Sequence, residues 1–406
     1  MEKQKINEIV NHLHKINWNF SDFNSAKYPL DMNSIAWYPA TFISPIPRLL
    51  IASLSEPGDT VLDPFGGKGT TAIETILQNR NAMYCDLNPF AKECVEGLFA
   101  ALEYTLDSDE GLENERSRVE NNICSIDKVN EKIRLYGIGK DVKEWFHENT
   151  LLELLSIVDL IYDAQKKGNL RLMLIRKLAF SSILKFASSQ QGHFTYVTDN
   201  CKPKQKKKKD AITLYCEKIE QIEMAAKEFI VQFTLSHPDA KLKELLDNRQ
   251  IVNGNAKDLS WVKNESVDLI VTSPPYLCSQ DYIKTMRLMN LFFEDKKAFE
   301  MDAKDEIGAR SMRRKKSDIV VPKFYSDMTL IFENINRVLK KNGFFALVIG
   351  QGKSKVIAGY DIIGDFTDIL QSEIGFSLLF AQDRQIGNRV IQVGGVDKER
   401  ILIFQK

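Results

Sequence analysis

Thr60-Val61-Leu62-Asp63-Pro64-Phe65-Gly66-Gly67-Lys68-Gly69-Thr70 is the stretch that decides how this chain folds. Thr60 to Asp63 reads as a short buried strand, the glycine stretch as a loop, and Thr70 to Gln78 as a helix. Glycine has no Cβ and tolerates positive φ, so such a turn lets a ligand approach the backbone closely. The helix that follows points its first N–H groups at the same place. Ala82 to Cys85 reads as a second strand ending in Asp86, 23 residues beyond Asp63. An acid at that strand tip is placed to accept hydrogen bonds from ribose hydroxyls. Pro89 to Leu102 is helical again, which gives a βαβ pattern. Lys68 is followed by Gly69, not by Ser or Thr, so the loop departs from the phosphate-cradling P-loop. An acid at the strand tip suits a cationic, phosphate-free ligand instead.

Upstream, Pro45 and Pro47 open IPRLLIASL, a short amphipathic helix, and Glu56-Pro57-Gly58-Asp59 is the turn before the first strand. Downstream, residues 105–249 change character. VKEWFHENTLLELLSIVDLIYDAQ, NLRLMLIRKLAFSSILKFASS and DAITLYCEKIEQIEMAAKEFIVQFTL repeat apolar residues at i, i+3, i+4 and i+7, the mark of amphipathic helices. From residue 250 the α/β rhythm returns. IVNGNA is a strand and turn, and VDLIVTSPPY is a buried strand entering a proline-stiffened loop. KFYSDMTLIFENINRVLKKNG is expected to be a helix closed by Gly343 as its C′ glycine. FFALVIG, FSLLFAQD and RILIFQK are further strands. The expected plan is an α/β domain built from 1–104 and 250–406, split by a helical insertion at 105–249.

Composition narrows the classes. With 44% hydrophobic residues in 406, wholesale disorder is excluded. No apolar run reaches ~18 residues, so no membrane-spanning helix is expected. The N-terminus lacks an apolar signal region. Six cysteines without a CxxC pair argue against a zinc site or a disulfide framework, and a cytoplasmic setting follows. Acidic and basic residues balance at 55 each, yet binding to a polyanion depends on where charges sit. Six lysines occupy the eight positions 202–209, among them Lys204, Lys206, Lys207 and Lys208. A second basic cluster contains Arg310, Arg313 and Arg314. Both are candidate phosphate contacts, and His193, Phe194 and Tyr196 just upstream of the lysines are candidates to stack on or wedge between bases.

Thr272-Ser273-Pro274-Pro275-Tyr276 carries the reaction chemistry. Two successive prolines remove two backbone donors and fix φ. The carbonyls before them are held rigid and are not consumed by a helix. A serine hydroxyl and a rigid proline carbonyl form a pair of acceptors for the two hydrogens of an exocyclic amine. That arrangement draws the nitrogen lone pair out of ring conjugation, so it can attack an electrophilic methyl group. Tyr276 offers an aromatic face for stacking a base, worth ~1–3 kcal/mol.

Together, DPFGGKGT and TSPPY resemble the amino-group DNA methyltransferases, which methylate cytosine N4 or adenine N6. The resemblance covers about 37–103 and 250–406. It implies a Rossmann-like class I methyltransferase sheet, S-adenosyl-L-methionine as cofactor, and double-stranded DNA as partner. A restriction-modification setting, with a cognate nuclease or defence-system subunits, is also what it implies. Ser273, Pro274, Pro275 and Tyr276 then fall at the catalytic motif. Tyr38, Pro39 and Phe42 match a segment that closes over the cofactor's methionine end, together with Pro47-Arg48. Asp63, Pro64, Phe65, Gly66, Gly67, Gly69, Thr70 and Asp86 fall at the cofactor loop and strand tip. Asn255 sits at the adenine-ring contact, where the family often has an acid, and Asp258 is the candidate substitute. The TSPPY form leans toward cytosine N4. Adenine N6, a guanine-N2 RNA methyltransferase and a catalytically silent DNA-binding subunit are the alternatives. The insertion at 105–249 stands between the two motifs, as the family's target-recognition domain does in one of its arrangements, although it precedes the IVNGNA strand.

Overall fold

The structure is a computed structural model and describes residues 3–38, 43–107, 112–190, 202–293, 305–352, 354–386 and 398–406. Its centre is a seven-stranded sheet: β1 (Thr60–Asp63), β2 (Asn81–Asp86), β3 (Gln250–Asn253), β4 (Val267–Thr272), β5 (Leu339–Gly350), β6 (Ser377–Gln385) and β7 (Lys398–Gln405). The spatial order is β3-β2-β1-β4-β5-β7-β6. β1 to β5 run parallel, and β7 is antiparallel to both of its neighbours. The chain moves outward from β1 to β3 and then returns to the other side of β1. The sheet order therefore reverses between β1 and β4, and that switch point opens a crevice beyond the strand ends.

Both faces of the sheet are covered, which is why Leu269-Ile270-Val271 of β4 is a continuous apolar run and not an alternation. On one face Leu62, Ile270, Phe345 and Leu347 pack against Phe324, Ile331 and Phe332 of the Ser317–Val338 helix. On the other, Val61, Leu269, Val271 and Ala346 meet Ile46, Leu50 and Ile51 of the Pro45–Leu54 helix. Pro45 and Pro47 lie in the first turn of that helix, where missing N–H groups cost nothing.

Among the described residues, 105–249 contain helices and no strand. The long helices Glu148–Lys166, Leu170–Ala187 and Ala211–Ser236 share one apolar core with Ala82 and Tyr84 of β2 and the Pro89–Asp107 helix. A buried ion pair crosses this core. Arg176 donates to both oxygens of Glu115 at 2.6 and 3.0 Å, and Tyr215 Oη donates to the same carboxylate at 3.0 Å.

One expectation is corrected. Gly343 does not close a helix that begins at Lys323. The helix spans Ser317–Val338 with Pro322 inside it, and Leu339 turns to extended angles (φ −72, ψ 135). Pairing of Leu339 with Val267 of β4 takes over there, so Gly343 lies within β5. Sheet pairing overrides the local stop signal.

Candidate active site

A cleft of about 800 Å³, its open mouth included, lies at the carboxyl ends of β1, β2 and β4. Its first wall is the glycine loop. Gly66 N–H donates to the Cys85 carbonyl at 2.9 Å, Gly67 N–H to Asp86 Oδ2 at 2.8 Å, and Gly69 N–H to the Gly66 carbonyl at 2.8 Å. Tyr84 Oη donates to the Gly67 carbonyl at 2.6 Å from beneath. Two glycines are required by the protein itself. Gly66 lies directly against the Tyr84 ring, and a Cβ on Gly69 would sit 2.6 Å from Val95 Cγ2 at φ +85. The loop is thus pressed onto β2 and the next helix, leaving Gly67, Pro64 and Phe65 to line the cleft.

Asp86 lines the cleft at the tip of β2. Its carboxylate also accepts the Asn88 N–H at 2.8 Å. Burial pushes its pKa up to about 6, against the opposing pull of the Asn88 and Gly67 amides. Tyr38 closes over the loop, its hydroxyl accepting from Asn88 Nδ2 at 3.2 Å. Asn255 and Thr70 face the same space. Pro39 and Phe42 lie outside the described residues.

Several expected contacts are placed elsewhere. Asp63 is buried and does not line the cleft. It accepts from Thr272 Oγ1 at 2.6 Å, Thr71 Oγ1 at 2.7 Å and Phe65 N–H at 3.0 Å. Burial holds its pKa at about 6 despite those donors. Its position is structural: it ties the glycine loop to the strand that carries Ser273. Asp258 is not a stand-in for an acid at Asn255. It is exposed and folds back to accept the Ser260 N–H at 3.0 Å. Arg48 is also taken up internally, donating twice at 2.8 Å to the buried carboxylate of Glu74. Lys68 donates to the Asn33 carbonyl at 2.6 Å.

The second wall is the loop after β4. Ser273 and Pro275 line the cleft, and Pro274 is buried behind them. Ser273 Oγ lies 3.3 Å from Tyr276 Oη. Cys278 is buried at φ +63, with its N–H bound to the Gly308 carbonyl at 2.8 Å. The third wall, Tyr282, Ile283, Glu306 and Ile307, was not legible from sequence. Glu306 is 6% exposed and accepts from the Tyr282 N–H. Burial pushes its pKa up to about 8.

The basic clusters flank this frame. Arg310 N–H donates to the Gln280 carbonyl and Arg313 Nε to the Cys278 carbonyl at 2.6 Å, so this segment is laced to the loop that carries Tyr276. Arg314 is exposed. Lys204, Lys206, Lys207 and Lys208 are exposed too. Their segment is pinned to the Val142–Trp145 helix, through Lys206 Nζ to the Lys143 carbonyl at 3.1 Å and a Lys202–Glu144 ion pair of 2.5 Å. Phe146, just after that helix, packs on Phe292 of the Arg287–Phe293 helix, downstream of the loop after β4. His193, Phe194 and Tyr196 lie outside the described residues.

Residues 2–96 match the family described as DNA methylase, the N6/N4 type. The matched segment includes the glycine loop, Asp86 and Tyr38. The chain is similar to the type II methyltransferase M.MjaI of Methanocaldococcus jannaschii, 25% identical over 40% of this chain and 57% of that protein. It is also similar to the type II methyltransferase M.BsoBI of Geobacillus stearothermophilus, 24% identical over 65% of this chain and 53% of that protein. The chain thus spans little more than half the length of these curated relatives. Among solved structures, a TehB-like SAM-dependent methyltransferase from Corynebacterium glutamicum aligns at TM-score 0.31 and 10% identity, covering 91% of this chain and 90% of that one. The rRNA methyltransferase aviRa from Streptomyces viridochromogenes aligns at TM-score 0.37 and 10% identity, covering 96% of each chain.

S-adenosyl-L-methionine is the cofactor of this DNA methylase family, and the cleft fits it. Thr70 Oγ1 is buried with no hydrogen-bond partner among the described residues, at the first turn of a helix that faces the cleft. Such a hydroxyl, beside the helix's unpaired N–H groups, suits a carboxylate like that of a methionine moiety. Asp86 at the strand tip suits a diol, and no basic side chain lines the cleft among the described residues, which suits a ligand without phosphates.

Proposed function

We propose that this protein transfers the methyl group of S-adenosyl-L-methionine to the exocyclic amine of a base flipped out of double-stranded DNA, with cytosine N4 as the target. One observation carries the reading. Ser273 and Pro275 of the TSPPY loop face the same cleft as Asp86 and the Gly66–Gly67 turn. An amine held by the first set lies beside a ligand held by the second.

The cofactor supplies an electrophilic methyl group on a sulfonium. The protein's residues do the rest. Asp86 accepts from ribose hydroxyls, Thr70 and the helix start receive the carboxylate, and Asn255 lies at the adenine end. Ser273 Oγ and the Pro274 carbonyl accept the two amine hydrogens and free the nitrogen lone pair. Tyr276 stacks on the ring and offsets part of the unstacking cost of a few kcal/mol. Holding amine and methyl in line supplies much of the rate. The exposed lysines at 204–208 and Arg314 contact phosphates, and 105–249 contribute to target recognition.

The test is transfer of a labelled methyl group to a long unmethylated duplex of mixed sequence, followed by digestion to nucleosides. Label in N4-methylcytosine is expected. Label in N6-methyladenine would move the target to adenine, and label confined to an RNA control would overturn the DNA assignment. Cofactor binding without transfer to any nucleic acid would mark a silent subunit.

A further inference from the structure

The catalytic tyrosine's hydroxyl is held from inside the sheet. Tyr276 Oη donates to Glu399 Oε1 over 2.8 Å, and Ser273 Oγ lies 3.3 Å from the same phenol oxygen. Glu399 is the second residue of β7 and is 9% exposed. Its second oxygen is paired with Nη1 of Arg384, its cross-strand partner on β6. Arg384 is buried in turn, and its Nε donates to the Trp18 carbonyl at 3.0 Å. Four side chains thus form a chain from the cleft wall into the sheet.

The direction of each bond follows from what each group can do. A guanidinium only donates, so Glu399 Oε2 accepts. At the other carboxylate oxygen, Oε1, it is Tyr276 that donates. Burial, then the neighbouring Glu399, holds the Tyr276 phenol well above its ordinary pKa, so the proton it donates stays in place. With that proton committed, the phenol oxygen has only lone pairs to offer Ser273. Ser273 therefore donates to Tyr276 and turns its own lone pairs toward the cleft. That is the side an amine hydrogen needs.

We propose that Glu399 is a positioning residue for the transfer: through Tyr276 it fixes the Ser273 hydroxyl with its acceptor side toward the target amine. Arg384 fixes which way round the device works. This rests on the amino-methyltransferase reading above. Glu399 itself lines no part of the cleft and acts only through the two hydroxyls.

Glu399→Gln is the informative change because Arg384 dictates how the amide sits. Arg384 selects the amide oxygen, which leaves the NH2 facing Tyr276. The phenol then turns its proton to Ser273, and Ser273 turns its proton to the cleft, donor against donor. Single-turnover transfer from labelled S-adenosyl-L-methionine to the mixed-sequence duplex is expected to slow about a hundredfold, the usual scale for one misplaced hydrogen-bonding group at a reacting centre. Dissociation constants for cofactor and DNA are expected to stay within about twofold of the wild type.

Tyr276→Phe keeps the ring and leaves the Arg384–Glu399 pair intact but cuts the relay. It is expected to slow transfer at least about tenfold, and adding Glu399→Gln to it is expected to change the rate no further. A merely structural Glu399 gives the opposite pattern, with multiplicative losses in the double variant. Glu399→Gln with a transfer rate within threefold of wild type, or multiplicative losses, overturns the proposal. If Glu399→Gln fails to fold, an undiminished rate in Tyr276→Phe overturns it equally. A wild-type protein that labels no amine overturns the underlying reading, and the Glu399 role falls with it. An active wild type with insensitive variants overturns the Glu399 role alone.

Discussion

Glu306 is a carboxylic acid built into a cleft wall, and replacing it with glutamine should stabilise the protein in one pH range and not in another. Its pKa is raised from 4.5 to about 8, first by burial and then by the charge of Asp281, while the amides of Tyr282 and Ile283 and the Lys284 ammonium pull it down. The sign follows from linkage. Below pH ~4.5 the side chain is protonated in both folded and unfolded chains and contributes no difference. Between 4.5 and about 8 the unfolded chain ionises while the folded one holds its proton, so stability falls as pH rises. Above that range the whole cost is present. At 1.36 kcal/mol per pH unit the interval corresponds to about 5 kcal/mol, and local relaxation with entry of water brings the working expectation to about 2–4 kcal/mol. Glutamine does not titrate, and its carbonyl can keep the bond from the Tyr282 N–H. Urea unfolding of both proteins at pH 5 and pH 8.5 measures the effect. Glu306→Gln should match wild type within about 1 kcal/mol at pH 5 and exceed it by about 2–4 kcal/mol at pH 8.5. The raised pKa values of Asp63 and Asp86 affect both proteins alike and cancel in the comparison. An equal difference at the two pH values would refute the burial argument.

Ser273→Ala should slow methyl transfer about a hundredfold with cofactor affinity unchanged, read as a loss in kcat without a rise in KM for S-adenosyl-L-methionine. Arg176→Ala leaves Glu115 buried without its main partner and should cost about 3–5 kcal/mol in chemical denaturation. Replacing Lys206, Lys207 and Lys208 together by Ala should leave transfer at saturating DNA intact. It should also make log affinity against log salt shallower by about 2–3, as measured by fluorescence anisotropy; an unchanged slope would remove this run from the DNA interface.

What the sequence made legible was local. The glycine loop, its strand and its helix are contiguous, so their pattern reads locally, even though it is Tyr84 and Val95 that exclude a side chain at Gly66 and Gly69. TSPPY is legible for the same reason, since two prolines stiffen a loop wherever it lies. Gly343 misled because a glycine after an amphipathic helix normally reports a helix end. Here Leu339 is captured earlier by pairing with Val267. The helix also begins earlier than the expected KFYSDMTLIFENINRVLKKNG segment, at Ser317, with Pro322 inside it. At Gly343 a contact distant in sequence outweighed a local preference.

The parts of the site that stayed hidden share one property: their roles exist only through sheet register or a distant packing partner. Glu399 stands 123 residues from Tyr276 and meets it because β7 inserts beside β5 with Arg384 opposite. Glu306 lies in a charged stretch whose spacing carries no period, and only its burial against Tyr282 makes it distinctive. Asp63 shows the converse. Its position next to the glycine loop made it a candidate ligand contact, yet Thr71, Phe65 and Thr272 take up its carboxylate from inside. Thr272 is 209 residues away and immediately precedes Ser273. One buried carboxylate therefore ties the glycine loop to the base of the TSPPY loop. The two motifs, separated in the chain by the helical insertion, are tied together by this side chain in addition to the direct pairing of β1 with β4.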